Sequence, residues 1–382
     1  MENIKGFSNC NILTSKGFVK TSLIIKDGKI ASIGKTVDGL LALDSNMFVV
    51  PGFIDEHVHG AMGSDAMDGT KKDLLNIAKA LAKEGTTAFL ATTMTQSKEN
   101  IKKALENANS YINDNIKEGA EVLGVHLEGP FISKDFVGAQ PIEHVQEPLI
   151  DNFKEYEEAS GNHIKIVTLA PEVNGALDLI KYLDSRGIVP SIGHTNAKHE
   201  ECKKAVLAGA KSVTHTYNAQ KGIHHRDIGV AGSAMLFDEL NCECICDGIH
   251  VSPAAIKLLF KNKTNTKFTL ITDAMRAKHM PDGISELGGQ TVIVKNGEAR
   301  LENGTLAGSV LKMNDAVKNV CSFLDKPLEE IVLLASRNPA LNLGVYDKMG
   351  SIEEGKLANF AVIDKDVNVY MTVREGKVIY KK

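Results

Sequence analysis

The chain has no run of apolar residues long enough to cross a bilayer, which argues against a helical membrane span. It has no surplus of basic residues either. Its 44 Lys and Arg stand against 48 Asp and Glu, a formal net charge of -4, so there is no basic surface to hold nucleic acid. The segment Met1-Glu2-Asn3-Ile4-Lys5-Gly6 lacks the apolar core of a secretory signal, and the expectation is a soluble, cytoplasmic protein. Cysteine is scarce. Cys10, Cys202 and Cys321 stand alone and are expected as free thiols. In Cys242-Glu243-Cys244-Ile245-Cys246 the cysteines alternate. A buried strand explains that pattern better than a metal site, since no matching Cys or His pair lies nearby. Finally, no Gly-rich phosphate loop follows the first strand-like segment, which argues against an open, doubly wound sheet.

What is present is a 382-residue chain, 43% hydrophobic, able to bury a large core. Both ends read as β-structure. Ser22–Lys26 and Lys29–Ile33 flank the hairpin signal Asp27-Gly28, and Val369–Val373 and Lys377–Tyr380 flank Arg374-Glu375-Gly376. These ends, residues 1–50 and 350–382, are expected to form one small β-sandwich domain. The middle, residues 51–349, alternates strands with amphipathic helices. Strands are expected over 47–54, 86–94, 121–127, 164–169, 188–193, 211–216, 242–247 and 267–272. Helices are expected over stretches such as 71–83, 98–117, 176–186 and 199–208. Eight such units predict an α/β fold, a (β/α)8 TIM barrel. A further hairpin around Asn296-Gly297, within residues 290–306, interrupts the pattern and reads as an insertion on the rim.

Polar residues of one chemical kind recur at the ends of these strands. His57 and His59 follow the apolar run Met47–Val50 within Pro51-Gly52-Phe53-Ile54-Asp55-Glu56-His57-Val58-His59. Residues two apart on a strand point the same way, and two imidazoles so placed suit a metal ion. Glu128, His194, His215 and Asp273 each end another apolar run, and in a barrel those ends meet at one mouth. Taken singly, Glu128 could cap a helix and His215 could be a structural buried histidine; the shared placement favours a site. Imidazole and carboxylate without thiolate suit zinc or ferrous iron. Six donors exceed the needs of one catalytic ion and fit a pair sharing a carboxylate. Such a centre activates water against an amide or ester carbonyl, with Asp273 placed to move the proton. His126 lies on the same side of its strand as Glu128 and is expected to support it. His144, His163, His199 and His279 lack strand-end positions and are expected at the surface.

With those residues in place, the chain resembles the amidohydrolase superfamily, and within it the N-acetylglucosamine-6-phosphate deacetylases. The resemblance rests on Pro51-Gly-Phe-Ile-Asp55-x-His57-x-His59, His126-Leu-Glu-Gly-Pro130-Phe131, Gly193-His194-Thr-Asn-Ala197, Thr214-His215-Thr-Tyr-Asn218-Ala219, Asp247-Gly248-Ile249-His250, Thr272-Asp273-Ala274 and Leu306-Ala-Gly-Ser309. It implies a metal-dependent hydrolase that removes the acetyl group from an amino-sugar phosphate. Glu128, His194 and His215 correspond to the main metal ligands, His57 and His59 to the second metal position, and Asp273 to the acid/base. Ala139, Asn218, Ala219, His250, Leu306, Ala307 and Gly308 correspond to sugar-contacting positions. Arg226 corresponds to a phosphate-binding arginine that reaches the neighbouring subunit's site, implying a homodimer.

Two departures from the family pattern stand out. Gln140 occupies a position where many relatives carry histidine, and glutamine donates a hydrogen bond but transfers no proton. Arg226-Asp227-Ile228 replaces Arg-Glu-Pro. Two other readings are open to the same residues. A cyclic amidase of the dihydroorotase or hydantoinase type shares the His-x-His, but its bridging lysine is missing from Leu169-Ala170-Pro171-Glu172. A scaffold that has lost catalysis should have lost ligands.

Overall fold

The computed structural model describes residues 2–263 and 266–382. Eight parallel strands form the central sheet, paired in chain order. They are β1 (Phe53–Val58), β2 (Thr86–Thr92), β3 (Glu121–Glu128), β4 (Ile164–Leu169), β5 (Val189–Ile192), β6 (Ser212–Val213), β7 (Asn241–Ile245) and β8 (Phe268–Ile271). The first and last strands meet at their C-terminal ends. Asp273 N donates to His57 O at 2.9 Å and His59 N donates to Ala274 O at 2.9 Å. Helices α1 (Lys71–Ala82), α2 (Lys98–Asn113), α3 (Ile150–Ala159), α4 (Ala176–Ser185), α5 (His199–Ala208), α6 (Gly229–Leu236), α7 (Pro253–Lys263) and α8 (Met313–Leu324) surround the strands. The pattern of α1 shows why they dock. Leu74, Ile77, Ala78 and Leu81 recur at helical spacing and are buried, while Thr70 accepts the Asp73 N–H as the N-cap.

The barrel strands are buried along both faces, as strands covered outside by helices must be. One expectation needs correcting. The run 47–54 is not one strand. Phe48–Pro51 belongs to the terminal sheet and β1 begins at Phe53. Gly52 is the break, where a Cβ would lie 2.3 Å from Thr87 Cγ2.

The terminal strands form a second eight-stranded sheet, with Phe48–Pro51 between the N-terminal strand Gly6–Thr14 and Phe360–Ile363. Its core of Phe7, Ile12, Leu23, Val49, Phe360, Met371 and Val373 is separate from the barrel's. The sheet curls until its two outer turns meet: a Cβ on Gly28 would lie 3.3 Å from Glu375 Cβ. The rim insertion is a three-stranded antiparallel sheet of Gly283–Leu287, Gln290–Lys295 and Glu298–Leu301. It packs through Leu287, Val292, Val294 and Ala307 onto Met94 and Met275.

Candidate metal centre and active site

Five barrel strands deliver the six candidate donors. His57 lies within β1 and His59 just beyond it. Glu128 ends β3. His194, His215 and Asp273 each sit two residues past β5, β6 and β8. These last three have φ of 47°, 28° and 47°, so the chain turns left-handed as it leaves each strand. A non-glycine residue there costs about 1–3 kcal/mol and persists only where its surroundings hold it. Next to His194 they do: a Cβ on Gly193 would lie 2.7 Å from Thr214 Cβ and 2.8 Å from Thr168 Cγ2, so strands β4 to β6 close on this turn.

Glu128 is the hub. Its Oε1 lies 3.1 Å from His194 Nε2, 3.0 Å from His215 Nε2 and 3.5 Å from His57 Nε2. Its Oε2 lies 3.3 Å from His59 Nε2. Asp273 Oδ1 is 3.4 Å from His57 Nε2 and 3.2 Å from His59 Nε2. All six side chains are buried or nearly so. Burial raises the pKa of Glu128, but the His57 charge and the hydrogen bonds of His194 and His215 outweigh it and hold the carboxyl well below its usual range. Asp273 behaves alike: burial opposes, His57 and His59 prevail, and its pKa falls to about 2. Burial disfavours a charged His59, yet Asp273 and Glu128 carry its pKa up to about 10. The carboxylates thus demand positive charge at this spot.

A metal cation would meet that demand. The Nε2 atoms of His194 and His215 face each other at 3.1 Å while both face Glu128 Oε1, an arrangement of lone pairs that protons satisfy poorly. His57 Nε2 is buried without a hydrogen-bond partner. Three groups have donor atoms within 4.8 Å of one another: Glu128–His194–His215 and His57–His59–Glu128, which share Glu128, and His57–His126–Glu243 on the side of His57 away from the pocket. The donors therefore fit one ion or two, with Glu128 shared.

The surrounding residues hold these donors. His126 packs edge-on to His57, with ring centroids 4.5 Å apart, and pairs with Thr168 Oγ1 at 2.7 Å. Gln140 is doubly pinned: its Oε1 accepts from Thr95 N at 2.7 Å and its Nε2 donates to Glu128 Oε2 at 2.8 Å. Asp55 accepts the Thr272 hydroxyl at 2.5 Å and so braces the residue before Asp273. Burial lifts the Asp55 pKa to about 6, against the pull of Lys278. Glu243 was missed in the sequence. It meets His57 Nδ1 at 3.0 Å. The signal available was a glutamate amid the buried Cys242–Cys246 run.

The pocket above the cluster is lined by His59, Glu128, His194, His215 and Asp273 on its floor and by Ala139, Gln140, Asn218, Ala219, His250, Leu306 and Gly308 on its walls. Three expected residues are not in that lining. His57 is fully buried behind Glu128 and Asp273. Ala307 is fully buried beneath the rim sheet. Arg226 is exposed, its guanidinium 2.7 Å from His225 Nε2, outside the pocket of its own chain. Asp227 anchors that loop through Lys221 Nζ, Gly229 N and His199 N. All four histidines expected at the surface are half-buried; among them, His279 pairs with Glu84 at 2.8 Å and His199 stacks on Phe237.

A parallel (β/α)8 barrel whose mouth gathers buried His, Glu and Asp donors from five strand ends is the architecture of metal-dependent hydrolases. The chain belongs to the amidohydrolase family, whose sequence profile matches residues 48–379. It is 40% identical over 377 residues to N-acetylglucosamine-6-phosphate deacetylase of Bacillus subtilis (strain 168), covering 97% of this chain and 95% of that one. It is 34% identical to the N-acetylgalactosamine-6-phosphate deacetylase of Escherichia coli O157:H7, over 96% of this chain and 97% of the other. The crystal structure of N-acetylglucosamine-6-phosphate deacetylase from Thermotoga maritima superposes with a TM-score of 0.90 at 37% identity, covering 99% of this chain and all of that one. A variant of the Mycobacterium smegmatis deacetylase, solved in complex with N-acetyl-D-glucosamine-6-phosphate, superposes at 0.92 with 28% identity, over 99% and 100% of the two chains.

Proposed function

We propose that this chain hydrolyses the acetamide of N-acetylglucosamine 6-phosphate, giving glucosamine 6-phosphate and acetate. The observation that carries the reading is the convergence of six donors at one barrel mouth, five of them on the floor of one pocket and His57 buried against Glu128 and Asp273. The walls of that pocket hold most of the expected sugar-contacting residues, and full-length relatives bear this enzyme's name. Glu128, His194 and His215 would hold one divalent ion, and His57 and His59, sharing Glu128, a second, with zinc or iron suited to these donors. Such an ion supplies water made acidic near neutral pH and a Lewis acid for the acetyl oxygen.

The chain's own groups do the rest. Positive charge beside Asp273 keeps its carboxyl ionised against burial, supplied by His57 and His59 when they are protonated and by a bound cation when they are ligands. Asp273 takes the proton from the attacking water and delivers it to the leaving nitrogen. Gln140 fixes Glu128 and transfers no proton. His250, Asn218 and Ala219 orient the sugar. Arg226, exposed and outside its own pocket lining, binds the 6-phosphate in the site of a second copy, making the working unit a homodimer; a guanidinium fork matches phosphate. Exposed Ile223, Leu207 and Leu236 lie on that loop and on helices α5 and α6, an apolar surface such a partner would cover. All six cysteines are free, in keeping with a reducing cytoplasm.

The cyclic-amidase reading is weaker here, because among the described residues no lysine lines the pocket and Glu172 is engaged by Thr195 and Asn196. The test is acetate release from N-acetylglucosamine 6-phosphate before and after chelation, with metal counted per chain. Release that stops on chelation and returns with metal supports the reading. No release from metal-loaded protein, or faster hydrolysis of dihydroorotate, overturns it. Comparison with N-acetylgalactosamine 6-phosphate sets the sugar preference.

A further inference from the structure

The geometry points to Glu243 as the positioning residue for the ion pair, acting through the far side of the His57 ring. This inference rests on the ligand assignment just proposed. Glu243 sits on β7, fully buried, and no substrate-lining atom belongs to it. Its Oε2 lies 3.0 Å from His57 Nδ1 and accepts the backbone N–H of His215 at 3.3 Å. One carboxylate oxygen thus touches a ligand of each metal group. Its own backbone adds a third tie, since Thr216 N donates to Glu243 O at 2.8 Å.

The two side contacts differ in what they control. At His57 the carboxylate meets the ring itself. It holds the proton on Nδ1 and leaves the Nε2 lone pair aimed at Glu128 and Asp273. A carboxylate behind a ligating imidazole fixes both tautomer and ring orientation. At His215 it meets only the backbone, and His215 Nδ1 is buried with no partner. Glu243 therefore sets where His215 stands but not which ring nitrogen carries its proton. It follows that the His57–His59 position depends on Glu243 far more than the Glu128–His194–His215 position does. The other Glu243 oxygen, Oε1, is buried without a partner, so the carboxylate is kept in the barrel interior for what Oε2 alone does.

The test is metal binding to purified, metal-stripped protein, titrated with zinc against a competing chelator. Wild type is expected to take up two ions per chain. In Glu243→Leu the ion that His57→Gln also loosens, the one at the His57–His59 position, should loosen by about 10–100-fold, as loss of such supporting groups typically does, while the other ion changes much less. Glu243→Gln places a carbonyl where Oε2 stands and should restore most of the affinity. Two ions of unchanged affinity in Glu243→Leu would overturn the proposal, as would equal loosening of both. Wild type that binds a single ion would instead overturn the two-ion reading above. Should Glu243→Leu fail to fold, 15N-histidine spectra of zinc-loaded wild type decide the matter, with His57 assigned from His57→Gln. A proton on Nδ1 is expected; a proton on Nε2 would overturn it.

Discussion

Asp273 is placed to do two jobs with one carboxylate, because it faces both His57 and His59 while lining the pocket. Replacing it with asparagine removes proton transfer but keeps the shape. Asp273→Asn should lower kcat by about 10²–10⁴-fold with metal uptake largely kept; near-normal turnover would remove Asp273 from the acid/base role. Arg226→Ala should raise KM for the phosphorylated sugar and leave kcat nearly unchanged. The wild type should strongly prefer phosphorylated over unphosphorylated substrate, and steady-state kinetics on both substrates checks this. The six donors were legible in the sequence because each ends an apolar run, where a polar side chain has no core reason to be. Glu243 was not legible, since it lies inside such a run and its partner, His57, is 186 positions away.

At the scale of elements, the strand-to-helix turns matter most, and the one after β8 is braced from outside the pocket. Glu84, just past α1, accepts from Lys278 Nζ at 2.9 Å, His279 Nε2 at 2.8 Å and Met313 N at 2.8 Å. Glu84 and Lys278 are both fully buried. Their contact ties α1 to the loop that follows Asp273 and to the start of α8. Removing one partner of a buried pair strands the other charge, so Glu84→Ala should cost about 3–5 kcal/mol in urea unfolding. Burial raises the Glu84 pKa, but Lys278 and His279 overcome it and the net shift is downward from 4.5. Its contribution is therefore complete above about pH 4.5 and is lost as pH falls through the lower folded value. Glu84→Gln should show a shallower loss of stability on that acid side; an identical slope would contradict the ionised pairing. Hairpins were readable wherever Asp-Gly or Asn-Gly fixed the turn. The merged strand 47–54 was misread because both of its halves are apolar and buried, and hydrophobicity alone does not mark the point where Gly52 hands the chain from one sheet to another.

For the molecule as a whole, a bound ion is also a stabiliser. The facing Nε2 lone pairs of His194 and His215 are poorly satisfied by protons, and an ion that binds the folded state alone adds RT ln(1 + [L]/Kd). With free zinc at 100 times Kd this is about 2.7 kcal/mol. Chelation should lower Tm, readdition should restore it, and a Tm indifferent to both would argue against a metal centre. The barrel was legible as eight alternating units, while the assembly was not. Nothing in one chain's periodicity tells where an exposed arginine goes.

The pairing of Phe48–Pro51 with both Gly6–Thr14 and Phe360–Ile363 has a bearing on how the protein is made. Roughly 300 residues lie between the two partners, so at about 5–20 residues per second the early strands wait roughly 15–60 s on the ribosome for the last one. Throughout that interval an unpaired apolar edge is open to chaperones and to neighbouring nascent chains.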